Sequence, residues 1–178
     1  MSENIQTVKH DNCQVLTFTL ADEVYGVDIM SVREVLDYTS VTKVPQTPDF
    51  MVGVINLRGN VVPVLDLRSK FRMGKTAKSV NTCVIIVEVE IESETTVLGA
   101  LADSVQEVVD FEGSSIEDAP KMGTQLNTAF IKGMAKRDDG FVIILNIDAV
   151  FSQENIESIA PFAKTQNTVS EEKENTYV

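Results

Sequence analysis

The chain has 178 residues, a formal net charge of −12 and 43% apolar residues. That length suits one domain of ordinary size with a real core, and the acidic balance argues against nucleic acid or anionic membrane as the main partner, since both reward basic patches. The start, Met1-Ser2-Glu3-Asn4, lacks a basic-then-apolar signal pattern, and no apolar run approaches the roughly 18 residues of a spanning helix, so a cytosolic protein of bacterial type is expected.

Residues 1–12 are polar and read as a flexible arm carrying the sole histidine, His10, a poor candidate for catalysis. Cys13 to Leu20 alternates, with Leu16, Phe18 and Leu20 on one face, as in a half-buried strand. Val24 to Asp28 returns with Tyr25 and Val27 inward. Ser31-Val32-Arg33-Glu34 has the form of a capping box, in which serine and glutamate satisfy each other's orphan amides; it opens a helical turn or leads into a strand. Val32, Val35 and Leu36 beside it suit either core packing or an edge that faces a partner.

Val41 to Asp49, with Pro45 and Pro48, reads as a loop. Phe50 to Leu57 and Val61 to Leu67 then form a hairpin, with Gly59-Asn60 as its two-residue turn and Arg58 at or beside the tip. Pro63 cannot donate to a ladder, so the second strand is expected at an edge or with a bulge. Asp66 to Phe71 suits a short helical turn, and Arg72 to Asn81 is a basic, small-residue loop.

Thr82 to Glu92 reads as a long strand and Thr96 to Ala102 as its return. Gln106 to Phe111 is a short strand or helical turn, and Glu112 to Asn127 a long loop. Phe130 to Lys136 and Phe141 to Ile147 form a second hairpin around Asp139-Gly140, and Asp148 is placed to cap a helix running to about Pro161. The polar end, residues 161–178, is expected to be disordered.

The first hairpin is written twice. Shifted by about 80 positions, Phe50, Gly53, Val62, Leu65 and Phe71 fall on Phe130, Gly133, Val142, Leu145 and Phe151. Upstream, seven of the fifteen residues from Val24 to Tyr38 are identical to those from Val97 to Phe111, and the matched Ser, Glu, Asp and Gly argue against mere likeness of apolar strands. The chain therefore reads as a single domain over residues 13–160, with repeats at about 13–81 and about 82–160. Each repeat alone would be marginal, so the two are expected to share an apolar interface. Many short strands with few helices point to a pair of small β-barrels, which close off exposed sheet edges.

Signs of chemistry are scarce. The sequence holds no Gly-rich phosphate loop, nucleophile elbow or Cys/His metal spacing, and a serine or cysteine nucleophile would lack its usual histidine base. Cys13 and Cys83, at corresponding strand starts, read as buried free thiols. Asp66 is replaced by Asn146 in the second repeat, which favours a cap over a general base; Glu34 and Glu107 would form an acid pair only if the repeats brought them together. No cofactor or metal is expected, and the chain is read as a non-enzyme. At the first tip, Leu57 beside Arg58 suits an apolar anchor next to a directional fork of donors, while a core leucine and a solvated turn arginine remain the plain alternative.

Tyr25-Gly26-Val27-Asp28-Ile29, Val32-Arg33-Glu34-Val35, Val44-Pro45, Thr47-Pro48 and the run from Gly53 through Asn56-Leu57-Arg58-Gly59 to Arg68 closely resemble the CheW chemotaxis coupling proteins, from about residue 13 to 157. The resemblance implies a mainly β fold of two intertwined five-stranded SH3-like barrels around a shared apolar core, with short helices and a C-terminal helix. It implies no enzyme activity. It implies an adaptor that bridges chemoreceptor cytoplasmic tips to the regulatory domain of the histidine kinase CheA at the inner face of the membrane, with weak self-association in arrays. Positions matching the family's binding regions are Ile29, Val32, Glu34, Asn56, Leu57, Arg58, Gly59, Gly99 and Val105. The chain has neither the kinase nor the receiver domain that accompanies this fold elsewhere, so a stand-alone coupler is the economical reading. The alternative is a scaffold of the same fold in a non-motility sensory array.

Overall fold

A computed structural model describes residues 10–120 and 128–151. The strands are β1 (Cys13–Leu20), β2 (Glu23–Asp28), β3 (Val32–Asp37), β4 (Met51–Leu57), β5 (Asn60–Asp66), β6 (Cys83–Ile91), β7 (Glu94–Ala102), β8 (Ser104–Phe111), β9 (Ile116–Glu117), β10 (Ile131–Arg137) and β11 (Gly140–Leu145). Two single-turn helices follow the two hairpins, α1 (Leu67–Lys70) and α2 (Ile147–Val150). The rest of the C-terminal helix expected to run to residue 160, and the tail after it, lie outside the described residues.

The strands form a six-stranded sheet in the order β8-β1-β2-β11-β10-β9 and a five-stranded one in the order β3-β6-β7-β5-β4. The orders correspond strand for strand: β1 and β2 match β6 and β7, β8 matches β3, and the β10–β11 hairpin matches β4–β5. In each sheet the hairpin joins through a parallel pair, Ile144 with Gly26 in one and Val64 with Gly99 in the other. The short β9 has its counterpart in the isolated bridge from Thr42 to Val54. Neither repeat keeps its own strands together. The first repeat sends β1 and β2 into the six-stranded sheet and β3 to β5 into the other, and the second repeat does the reverse.

The exchange accounts for the burial. Leu16, Phe18, Leu20, Tyr25 and Val27 of one sheet pack against Leu65, Ile85, Val87, Leu98 and Ala100 of the other in one shared core. Each sheet also encloses a core of its own, around Val15, Phe111, Val142 and Ile144 in one and Val62, Val64, Val84 and Ile86 in the other. β1 is therefore buried on both faces rather than one: Val15 and Thr17 are as inaccessible as Leu20. Thr17 is accommodated because its hydroxyl donates to the Glu107 carbonyl at 2.7 Å and accepts the Glu107 N–H at 3.1 Å. Phe18, Tyr25, Phe71 and Phe130 form a chain of ring contacts with centroids 6.1, 6.4 and 5.8 Å apart.

Several local readings are corrected. Of the two readings of the capping-box candidate, the strand holds: Ser31 ends a 3-10 turn (Ile29–Ser31) whose cap is Asp28, and β3 follows it directly. The first hairpin turns at Arg58-Gly59, not Gly59-Asn60, and the second at Asp138-Asp139, since Leu57 pairs with Asn60 and Arg137 with Gly140. Pro63 is not on an edge; β5 lies between β4 and β7, its pairing to β7 begins one residue later at Val64, and the irregularity falls in the facing strand between Met51 and Gly53. Asn146, not Asp148, caps α2. Residues 10–12 are tied down, with His10 2.9 Å from Asp118 and the Asn12 amide oxygen accepting from the Gly113 N–H. Cys83 faces Asp37 while Gln14 faces Asp110, so the two cysteines are one residue out of correspondence.

Candidate functional site: a latched hairpin tip

The site is built on the β4–β5 tip. Arg58 and Gly59 both take positive φ, 53° and 89°, the conformation of a tight hairpin whose twist matches its strands. An arginine is unusual there, and Asn56 supports it by accepting the Gly59 N–H on its side-chain oxygen at 2.7 Å. The tip is thereby fixed, and Arg58 is aimed away from its own strands.

Its partner lies on the opposite edge of the same sheet. The Arg58 guanidinium donates to both carboxylate oxygens of Glu34 on β3, at 2.6 and 3.0 Å. Between β3 and β5 stand β6 and β7. At about 4.8 Å per strand a flat sheet would hold the outer strands too far apart for this contact, so the fork-to-fork bond spans the mouth of a curled sheet. A bulge in β3, where Val32 faces Val87 and Glu34 already faces Ile86, turns Glu34 toward the tip. The hydrogen bond from Arg58 holds the Glu34 carboxyl below the ordinary glutamate value, and the same pair raises the Arg58 guanidinium.

Leu57 completes the arrangement. With Arg33, Glu34, Arg58, Asn60, Val62 and Val97 it lines a cleft of about 290 Å³. Arg33 is held outward by Glu88 at 2.9 Å. Val35 on β3 and Val61 on β5 are 38% and 37% exposed, outside the residues that line the cleft. Apolar area beside a charge pair whose donors are already oriented is the composition of a contact surface.

The other expected site residues divide. Ile29, Val32 and Val105 are half-buried and pack against the shared core, so they lie along the seam between the sheets. Asn56 and Gly59 are exposed and shape the tip. Gly99 is buried in β7; a Cβ there would lie 2.8 Å from Val84 Cγ1 and 3.3 Å from Val64 Cγ2, so it serves close strand packing and presents no surface.

Sequence reasoning missed a second latch. Glu107, the repeat counterpart of Glu34, is bonded by Arg137 from the other hairpin tip. Glu34 and Glu107 thus sit in different sheets, each with its own arginine, and form no acid pair. Cys13 and Cys83 are partly buried, and burial pushes both thiols up, away from the activated thiolate of a nucleophile. Among the described residues no group of three His, Cys, Asp or Glu side chains is placed to hold a metal ion, and no helix is long and apolar enough to cross a membrane.

Comparison with known proteins places this architecture. Residues 14–155 match the family model of the CheW-like domain. The chain is 34% identical over 152 residues to the chemotaxis protein CheW of Klebsiella aerogenes, spanning 85% of this chain and 89% of that one. It is 26% identical to the chemotaxis protein CheW of Treponema pallidum over 86% of this chain and 90% of the relative. The crystal structure of the scaffolding protein TtCheW from Thermoanaerobacter tengcongensis superposes with a TM-score of 0.71 at 40% identity, covering 82% of this chain and 92% of that one. The chain belongs to the CheW-like family.

Proposed function

We propose that this protein is a non-enzymatic adaptor of bacterial chemotaxis that couples chemoreceptor cytoplasmic tips to the regulatory domain of the histidine kinase CheA, and that it works at the inner face of the membrane within receptor arrays. Relatives named as chemotaxis proteins and a structural relative named as a scaffolding protein support the class. The observation that carries the reading is the Arg58–Glu34 latch. It fixes an otherwise bare hairpin tip beside half-buried Leu57, whose other side packs on the core of the sheet, where a stable contact is what the side chains support. The seam residues Ile29, Val32 and Val105 suit a helical partner that presents apolar anchors every three or four residues.

The direct test is binding by calorimetry to a receptor cytoplasmic fragment and to the kinase regulatory domain, comparing the parent chain with Leu57→Asp. The reading expects at least one of the two affinities to fall by about tenfold or more, as for a central anchor, in a protein whose circular dichroism shows it still folded. Unchanged affinity for both would remove the tip from the site.

A further inference from the structure

A second cleft lies at the far end of the five-stranded sheet, away from the tip. It has a volume of about 490 Å³ and is bounded by the 38–52 segment, the end of β5 and the 75–78 segment. Met51 and Leu101 lie almost fully buried at its base, and half-buried Val41, Val44, Pro48 and Val52 give it an apolar wall among polar neighbours. Its rim carries Lys43, Lys75 and Lys78, all exposed. Among the described residues no carboxylate pairs with any of the three; Lys78 instead lies over the Tyr38 ring, 4.7 Å from its centroid.

Two carboxylates line the same cleft, and neither offsets the lysines fully. Asp66 is 5% exposed and already saturated. It accepts the Arg68 N–H at 3.1 Å, the Thr76 hydroxyl at 2.7 Å and the Thr76 N–H at 2.9 Å. Asp49 stands exposed at the rim. In a chain of net charge −12, three exposed ammonium groups on one rim concentrate positive charge there. Unpaired like charges repel one another and are relieved by an anion. The Thr76–Asp66 bonds hold the 75–78 segment over the cleft, so the site exists before a ligand arrives.

We propose that this cleft binds a small organic anion with an apolar body, its acid group taken by Lys43, Lys75 and Lys78 and its body by the wall of Val41, Val44, Pro48 and Val52. The volume falls within the range of small-molecule sites, where apolar lining and a few placed charges are the rule. The test uses anilinonaphthalene sulfonate, an aromatic sulfonate, as the probe on the full chain, followed by its fluorescence and by backbone amide NMR. The expected result is saturable binding, with shifts concentrated in residues 38–52 and 75–78 and displacement by decanoate but not by inorganic phosphate at equal ionic strength. The double variant K43E/K75E should bind at least about tenfold more weakly, whereas K132E/K136E, with the same charge change at two lysines paired to Asp28 and Glu117, should bind as the parent does. Circular dichroism checks that both variants fold. Shifts elsewhere, equal loss in both variants, or displacement by phosphate alone would overturn the proposal.

Discussion

Arg58 grips Glu34 through both of its terminal nitrogens, at 2.6 and 3.0 Å, across the mouth of the five-stranded sheet, and Arg137 bonds Glu107 through one terminal nitrogen across the mouth of the other. The first pair lies next to an apolar anchor, Leu57; the residue at the corresponding place in the second hairpin is Arg137 itself. The chain has thus kept the latch twice and the anchor once.

If Arg58 acts by holding the tip, its charge matters relative to Glu34 rather than to the partner. Arg58→Glu sets two carboxylates against each other and should weaken receptor or kinase binding by about tenfold, with little change in melting temperature, since exposed pairs contribute little to stability. The exchanged double variant Arg58→Glu/Glu34→Arg restores the pair and should recover most of the affinity. Calorimetry on the three proteins checks this, and a double variant as weak as the single one would show that the partner reads Arg58 directly.

The pair also fixes a pH response. Arg58 lowers the folded-state value of Glu34 below its unfolded one, so the latch is fully present above the ordinary glutamate range and is lost as pH falls through the lowered value. Proton binding should therefore leave binding unaffected from neutral pH down to mildly acidic conditions. A side-chain carboxyl NMR titration should show Glu34 titrating below an ordinary glutamate, and returning to the ordinary value in Arg58→Ala.

Gly99 distinguishes packing from contact. Gly99→Ala puts a methyl group 2.8 Å from Val84, while Gly26→Ala, at the matching place in the other sheet, meets Val15 at 3.1 Å and Val142 at 3.2 Å. Overpacking of this kind costs about 1–3 kcal/mol, and Gly99→Ala should lie higher in that range than Gly26→Ala. Urea denaturation of both checks the order. A Gly99→Ala protein of parent stability with weakened partner binding would return Gly99 to the site.

Strand exchange predicts that the repeats do not fold apart. A fragment of residues 1–81 keeps β1 and β2 without β8 and β11, and β3 to β5 without β6 and β7. It should show collapsed, poorly dispersed amide NMR spectra, whereas the whole chain unfolds in one transition. Truncating the shared core, as in Phe18→Ala, should cost about 3–5 kcal/mol and destabilise both sheets together.

The repeat, the strands and the shared core were legible in the sequence because they follow from periodicity and from matched residues such as Gly26 and Gly99. The exchange was implied only by the family resemblance, with its intertwined barrels, because β1 finds β8 across about ninety residues and local pattern carries no sign of it. The turn was misplaced by one residue because arginine at positive φ runs against turn preferences, and only the Asn56 side chain makes it tolerable. The Arg137–Glu107 latch was hidden for a related reason. Shifting the first hairpin by 80 positions sets Asp138 opposite Arg58, while the second arginine stands one residue earlier, at the last position of β10. Ser31 resembled a cap, but it stands before β3, whose Glu34 is held by an arginine.

The central claim is coupling, and receptor-stimulated autophosphorylation of CheA, measured with receptor membranes in the presence and absence of this protein, tests it most directly. The account predicts a large rise in phosphorylation that attractant reverses and that Leu57→Asp abolishes. No rise, together with no binding to either kinase or receptor, would contradict it.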